Sequence, residues 1–168
     1  PEMGAPQNRL LELSKIFMEK GWEVSAVTAM PNYPKGQIFK EYKGKFSTEE
    51  DVQGIKVLRY WMYSSIAAKS IPRIISMLSF SFTSLFSRSF IKKFKPDFIF
   101  TESPPLTLAF SGYLLSKLTG SRLIMNVSDV WPLSAKELGV IRDGFLYRQL
   151  ERFEKFLYKK SYLCTGQS

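Results

Sequence analysis

The chain has 168 residues, 45% of them apolar, which fits one globular domain with a sizeable core and excludes a disordered linker. It holds no histidine and a single cysteine, Cys164, so an internal disulfide is excluded and a zinc site is left without its usual ligands. Twenty-four basic against fifteen acidic side chains give a net charge of +9, which favours nucleic acid, phosphorylated ligands or an anionic membrane surface as partners.

Pro1 to Pro6 reads as loop. From Gln7 to Lys20 the residues Leu10, Leu11, Leu13, Ile16, Phe17 and Met18 fall on one helical stripe, and Gly21 ends it. Gly4 stands in the loop before that helix, where free N–H groups and the positive dipole end suit an anion; a plain turn glycine is the other reading. Glu23 to Thr28 predicts a strand. The connection from Pro31 to Asp51 is long, and loops of that length in a domain are functional or mobile. Ile55 to Tyr60 predicts the next strand, after a turn at Gln53-Gly54, and Ser64 to Ser70 is again loop.

Ser70 to Lys95 predicts a helix, with Ile71, Ile74, Ile75, Leu78, Phe82, Leu85 and Phe86 on one face and Met77, Phe80 and Phe90 widening it. The charges around it are all positive: Lys69, Arg73, Arg88, Lys92, Lys93 and Lys95. The uncharged stretch from Ile74 to Ser87 is shorter than the roughly 20 residues a bilayer crossing takes. Two readings stay open: a core-packed helix, or one lying on an anionic membrane.

Pro96 ends that helix. Asp97 to Thr101 predicts a buried strand, Glu102-Ser-Pro-Pro105 a loop, and Leu106 to Leu118 a helix closed by Gly120. Leu123 to Val127 is a short buried strand that must stop before Pro132, which has no N–H for a ladder and is tolerated at a helix start. Asp129 therefore stands at the carboxyl end of a strand, where open α/β sheets bind ligands; capping the next helix is its alternative role. Leu146, Leu150, Phe153 and Leu157 stripe a helix to about Lys160, and Tyr162 to Thr165 begins a last strand, with Cys164 expected as a small buried residue. The alternation predicts an α/β fold: a Rossmann-like, three-layer α/β/α arrangement around a parallel sheet with right-handed crossovers.

These motifs resemble the amino-terminal half of a family 4 glycosyltransferase of the GT-B type, in the bacterial branch that builds O-antigen, capsule and colanic acid. The matching residues are Pro1-Glu-Met-Gly-Ala-Pro-Gln-Asn-Arg-Leu10, Pro31-Asn-Tyr-Pro-Lys-Gly36, Ser103-Pro-Pro105, Asp129-Val-Trp-Pro132, Glu137-Leu-Gly139 and Leu150-Glu-Arg-Phe-Glu154. The resemblance implies that residues 1–168 are one Rossmann-like acceptor-binding domain, lacking its first strand and the carboxyl-terminal domain that holds most of the donor. It implies a retaining transfer from a nucleotide-sugar to a lipid-linked saccharide in cell-surface polysaccharide synthesis, without a cofactor or metal. The chain by itself is not expected to turn over. The enzyme is expected in the cytoplasm, peripheral on the inner face of the plasma membrane, with Arg73, Arg88, Lys92 and Lys93 meeting anionic lipid.

By the same resemblance, Gly4 and Arg9 are expected near the donor phosphates, and Gly4 near the acceptor. Asp129 matches the acidic residue facing the interdomain cleft, as a positioning group or a base. Many family members carry histidine before it; Ser128 stands there instead, so no histidine-based step is available. Asn32, Tyr33, Glu102, Ser103, Ser128 and Trp131 are expected to line the acceptor site. For Glu102 a solvent-facing loop, for Arg9 a solvated charge, and for Trp131 a packing role are the alternatives. A plain dinucleotide-binding Rossmann domain would need Gly-x-Gly-x-x-Gly after a first strand, and only Gly4 is at that position. A non-catalytic nucleic-acid module is the other competitor; the basic residues are spread along the chain without a recognised motif, so no nucleic-acid partner is expected.

Overall fold

In the computed structural model, which describes residues 5–34, 36–64, 70–137, 139 and 141–166, the strands pair as two three-stranded sheets. The chain divides into two compact units, Pro1–Ser84 and Leu85–Ser168. Both mix helices with parallel strands, so the chain is α/β as its alternation predicts.

The first unit begins with α1 (Ala5–Glu19), which ends in a left-handed glycine. Gly21 has φ +83°; its N–H bonds the Met18 carbonyl, and the Trp22 N–H reaches back to Phe17. Phe17 and Trp22 then stack at 5.1 Å, the apolar contact that accompanies this type of helix stop. Strands β1 (Ser25–Ala29), β2 (Ser47–Val52) and β3 (Ile55–Tyr60) follow, in the order β1-β3-β2. β1 runs parallel to β3, with Val27 opposite Leu58.

β2 runs antiparallel to β3, and this corrects the expectation of an unstructured connection up to Asp51. Its sequence, Ser-Thr-Glu-Glu-Asp-Val, has little apolar alternation because it is an edge strand with half of its residues in solvent. Gln53 and Gly54 both have positive φ, the geometry of a tight hairpin turn. Helix α2 (Ser70–Ser84) closes the unit and packs on β1 and β3.

In the second unit a short 3-10 turn, Leu85–Ser87, leads into α3 (Arg88–Phe94). The helix expected over Ser70 to Lys95 is thus interrupted, and Lys95 in the left-handed region ends it before Pro96. Next come β4 (Phe98–Ser103), α4 (Leu106–Thr119), β5 (Arg122–Val127), α5 (Leu133–Glu137), α6 (Phe145–Lys160) and β6 (Leu163–Gly166). The order β4-β5-β6 is wholly parallel, with Thr101 opposite Met125 and Met125 opposite Cys164. Leu106, Ala109, Met125 and Leu157 form the core, flanked by Phe110, Tyr113, Phe153 and Trp131. Cys164 is exposed rather than buried, because among the described residues β6 pairs with β5 on one side only.

Candidate functional site

At the carboxyl rim of the parallel sheet, register brings polar side chains into one row. Glu102 is opposite Asn126, and Asn126 is opposite Thr165. Asn126 Nδ2 donates to Glu102 Oε1 at 3.0 Å, Thr165 Oγ1 donates to Asn126 Oδ1 at 2.8 Å, and Ser128 Oγ donates to Glu102 Oε2 at 3.2 Å. A carboxylate only accepts, so the amide must turn its NH2 to Glu102 and its carbonyl to Thr165. Asn126 is buried, whereas Glu102, Ser128 and Thr165 are half-buried. The row of Glu102, Asn126 and Thr165 spans three neighbouring strands, with its middle member buried.

Glu102 and Ser103 belong to β4, not to a loop, which corrects the boundary expected at Thr101. For Glu102 this removes the reading as a solvent-facing loop residue. Ser103 was expected to line the site, but it is only 1% exposed. Its carbonyl accepts the Ser128 N–H at 2.8 Å, so it holds the rim from below.

Asp129 is exposed, in the bend that follows β5. The bonds that open α5 come from elsewhere: the Ser134 N–H reaches the Val130 carbonyl and the Lys136 N–H reaches that of Pro132. Trp131 is half-buried against the core cluster, so packing takes much of its indole surface. Pro132 beside it is fully buried, one residue ahead of the helix it was expected to begin.

The remaining expected ligands lie in the first unit or outside the described residues. Gly4 falls outside them. Arg9 is half-buried in the second turn of α1. Asn32 turns its amide inward, donating to the Met30 carbonyl at 3.0 Å and contacting Met62 Sδ at 3.2 Å. Tyr33 is exposed.

Helix α2 has an inverted polarity. Ser81, Thr83 and Ser84 are buried, while Ile74, Ile75, Met77, Leu78 and Phe82 are exposed. Thr83 Oγ1 donates to the Trp61 carbonyl at 2.7 Å, and Ser79 Oγ accepts the Tyr63 N–H at 2.8 Å. The hydroxyl residues fasten the helix to the end of β3, and the aliphatic ones face outward. Pro72–Phe94, 23 residues, is long and apolar enough by length and composition to cross a membrane, and the larger part of its most apolar stretch is not buried. Arg73, Arg88, Lys92 and Lys93 are all exposed.

Residues 4–168 match the glycosyl transferase 4-like domain. The chain belongs to that family. It is similar to the putative colanic acid biosynthesis glycosyl transferase WcaI of Escherichia coli (strain K12), with 29% identity over 119 residues. That match covers 70% of this chain and 29% of the relative, so the chain spans under a third of the relative's length. Among solved structures it is similar to the FeoB G-domain of Methanococcus jannaschii, at 21% identity and TM-score 0.29, over 84% of this chain and 85% of that one. The G235P variant of SsGBP is similar at 13% identity and TM-score 0.24, over 98% of this chain and 58% of that one. Scores this low say nothing about shape.

For a glycosyl transferase 4-like domain, the row at the rim is suited to a hydroxyl-rich ligand. Glu102 accepts from Asn126 and Ser128, and a carboxylate at this rim is an acceptor of the kind a sugar hydroxyl donates to. The sequence reading missed Asn126 and Thr165. The signal was an asparagine inside the otherwise apolar Leu123-Ile-Met-Asn-Val127, which becomes legible only once register sets it beside Glu102.

Proposed function

We propose that the chain is the acceptor-binding part of a retaining glycosyltransferase of the GT-B type. It would move a sugar from a nucleotide-sugar to a lipid-linked saccharide in cell-surface polysaccharide synthesis. The observation that carries this reading is the match of residues 4–168 to the glycosyl transferase 4-like domain. The rim of Glu102, Ser128 and Asp129 supports it, because carboxylates and hydroxyls outside the carboxyl ends of parallel strands are where such sheets receive ligands.

In the transfer, the acceptor oxygen bonds to the anomeric carbon as the bond from that carbon to the donor's phosphate oxygen breaks. On the same face, the departing phosphate takes the acceptor's proton. A strong protein base is not needed, and Asp129 and Glu102 act by holding hydroxyls in line. In this reading the donor is held mainly by a second domain of the full-length protein.

A lipid-linked acceptor would bring the enzyme to the cytoplasmic face of the plasma membrane. The apolar stripe of α2 fits that location, and Arg73, Arg88, Lys92 and Lys93 supply the charge that anionic headgroups attract. Hydroxyl groups bond α2 to the end of β3, which favours a helix lying in the interface over one that crosses it.

The test uses the full-length protein, labelled nucleotide-sugars and a polyprenyl-diphosphate-linked saccharide. Label should pass to the lipid fraction with retention at the anomeric carbon. Inversion would remove the retaining mechanism, and absence of transfer across the common nucleotide-sugars would remove the transferase reading.

A further inference from the structure

Outside the rim, the first unit carries an open groove of about 620 Å3, built from two segments. One is the loop before β2, with Gln37, Lys43, Lys45 and Phe46; the other follows β3, with Trp61 and Tyr63. We propose that this groove binds a hexose carrying an anionic phosphate at its anomeric oxygen, as a second acceptor subsite. The proposal rests on the transferase reading for the word acceptor, but not for the binding chemistry.

Three aromatic rings stand in solvent here: Phe46 is 49% exposed, Trp61 40% and Tyr63 37%. Folding ordinarily buries such surface, and a cluster left open in a groove marks a contact site. Flat π faces suit the C–H face of a pyranose. The backbone beneath is fixed. The Trp61 N–H bonds the Phe46 carbonyl at 2.8 Å, the Trp61 carbonyl accepts Thr83, and the Tyr63 N–H is held by Ser79. Ser64 Oγ donates to the Gly36 carbonyl at 2.6 Å, and Asn32 reaches Met62 in the groove wall. The backbone that carries the rings is thus fixed before any ligand arrives, which lowers the entropy cost of binding.

The charge selects the ligand. Lys43 and Lys45 flank Gly44, and among the described residues no carboxylate lines the groove. Among the described residues neither lysine is in a salt bridge. Lysine binds phosphate as a point charge, and two of them beside an aromatic shelf suit one sugar and one phosphoester. The Ser79 and Thr83 bonds tie the groove to α2, the helix with the exposed apolar stripe. A sugar phosphate attached to a lipid would find its two chemistries on one unit.

The experiment is 19F NMR of the full-length protein labelled with 5-fluorotryptophan, with the Trp61 resonance assigned by its loss in Trp61→Phe. The probes are glucose 1-phosphate, methyl glucoside and inorganic phosphate. Glucose 1-phosphate should shift the Trp61 resonance saturably, and the other two should bind roughly tenfold or more weakly, each lacking one of the two contacts. Lys43→Gln with Lys45→Gln should abolish the preference for the phosphorylated sugar, with the circular dichroism spectrum unchanged. Inorganic phosphate binding as tightly as glucose 1-phosphate would overturn the proposal, as would a silent Trp61 or a double variant that keeps the preference. A Trp61 response without sugar transfer sinks only the transferase reading; transfer with a silent Trp61 sinks only the groove.

Discussion

Asn126 holds Glu102 across the parallel sheet, donating from Nδ2 to Oε1 at 3.0 Å from a buried position. Its own orientation is fixed by Thr165, so the carboxylate is aimed from two strands away. A group positioned in this way meets a ligand without first having to be ordered.

The first prediction concerns that aim. Asn126→Ala leaves Glu102 with Ser128 but without its donor from β5. A hydrogen bond to a charged group contributes about 1.5 to 3 kcal/mol, so kcat/KM for transfer should fall on the order of tenfold to a hundredfold. Glu102→Gln should raise the acceptor KM and leave the donor KM alone. Steady-state kinetics with each substrate varied in turn decide it, and a change confined to the donor would remove Glu102 from the acceptor site. Asp129→Asn is the companion variant: turnover near the parent's would leave Asp129 without a part in the reaction.

The second prediction concerns α2. Leu78→Glu and Phe82→Glu change exposed side chains, so the melting temperature should move little. Recovery of the full-length protein on vesicles containing anionic lipid should drop severalfold, because a carboxylate replaces inserted apolar surface and adds repulsion. Neutralising Arg73, Arg88, Lys92 and Lys93 together should remove the preference for anionic over neutral vesicles while the apolar insertion persists. Unchanged recovery of both glutamate variants would return α2 to an ordinary surface helix.

Most of the architecture was legible because apolar periodicity and glycine stops are local signals. Gly21 and Gly120 end their helices as the sequence suggests, and β3 and β5 fall within a residue of their expected limits. The misses share a cause: information held by a partner segment rather than by the residues themselves. β2 is charged and half-solvated, so it becomes a strand only because β3 offers an edge. Glu102 and Ser103 extend β4 because β5 continues alongside them to Val127. α2 was readable as apolar, but which face it buries was not, since the hydroxyl groups that fasten it find acceptors and donors near Trp61 and Tyr63, far off in sequence. The rim was half visible: Asp129, Ser128 and Glu102 end strands, whereas Asn126 is a strand residue whose role depends on register.

The third prediction is a pair of opposed pH dependences. Glu50 lies beside the buried Arg59 and accepts from Tyr42 at 2.8 Å. Burial alone would raise its pKa, but the hydrogen bonds from Arg59 and Tyr42 outweigh this and hold it below the usual carboxylate range. Its contribution is therefore present above the unfolded pKa and is lost as pH falls through the folded one. Glu154 is the reverse: burial raises its pKa, and the 2.7 Å bond from Tyr158 offsets this only in part. Stability from Glu154 is greatest below the unfolded pKa and is lost as pH rises through the folded value. Glu154→Gln should stabilise at neutral pH and be without effect in acid. Glu50→Ala takes the carboxylate from a buried guanidinium, which then keeps the Ala29 carbonyl and the Tyr42 ring as partners, and should cost about 3 kcal/mol at neutral pH, with the loss shrinking in acid. Denaturant melts from about pH 3 to pH 8, spanning the carboxylate range, check both signs.

The last prediction is a steric one, at Gly112 on the buried side of α4. A Cβ there would lie 3.1 Å from Thr101 Cβ and 3.3 Å from both its Cγ2 and its Oγ1. The nearest atom is itself a Cβ, so no rotamer of Thr101 relieves the contact; the helix or the strand must shift. Alanine would gain about 1 kcal/mol over glycine in helix propensity. Overpacking a buried site costs about 1 to 3 kcal/mol, and Thr101 is held in register opposite Met125. The steric cost should win, and Gly112→Ala should lower stability by about 1 kcal/mol. Thr101 directly precedes Glu102, so any displacement of β4 also misaligns Glu102 with Asn126, and the acceptor KM should rise together with the lost stability. A Gly112→Ala enzyme that melts higher than the parent would show that α4 has room to move, and that the close approach does not fix the rim.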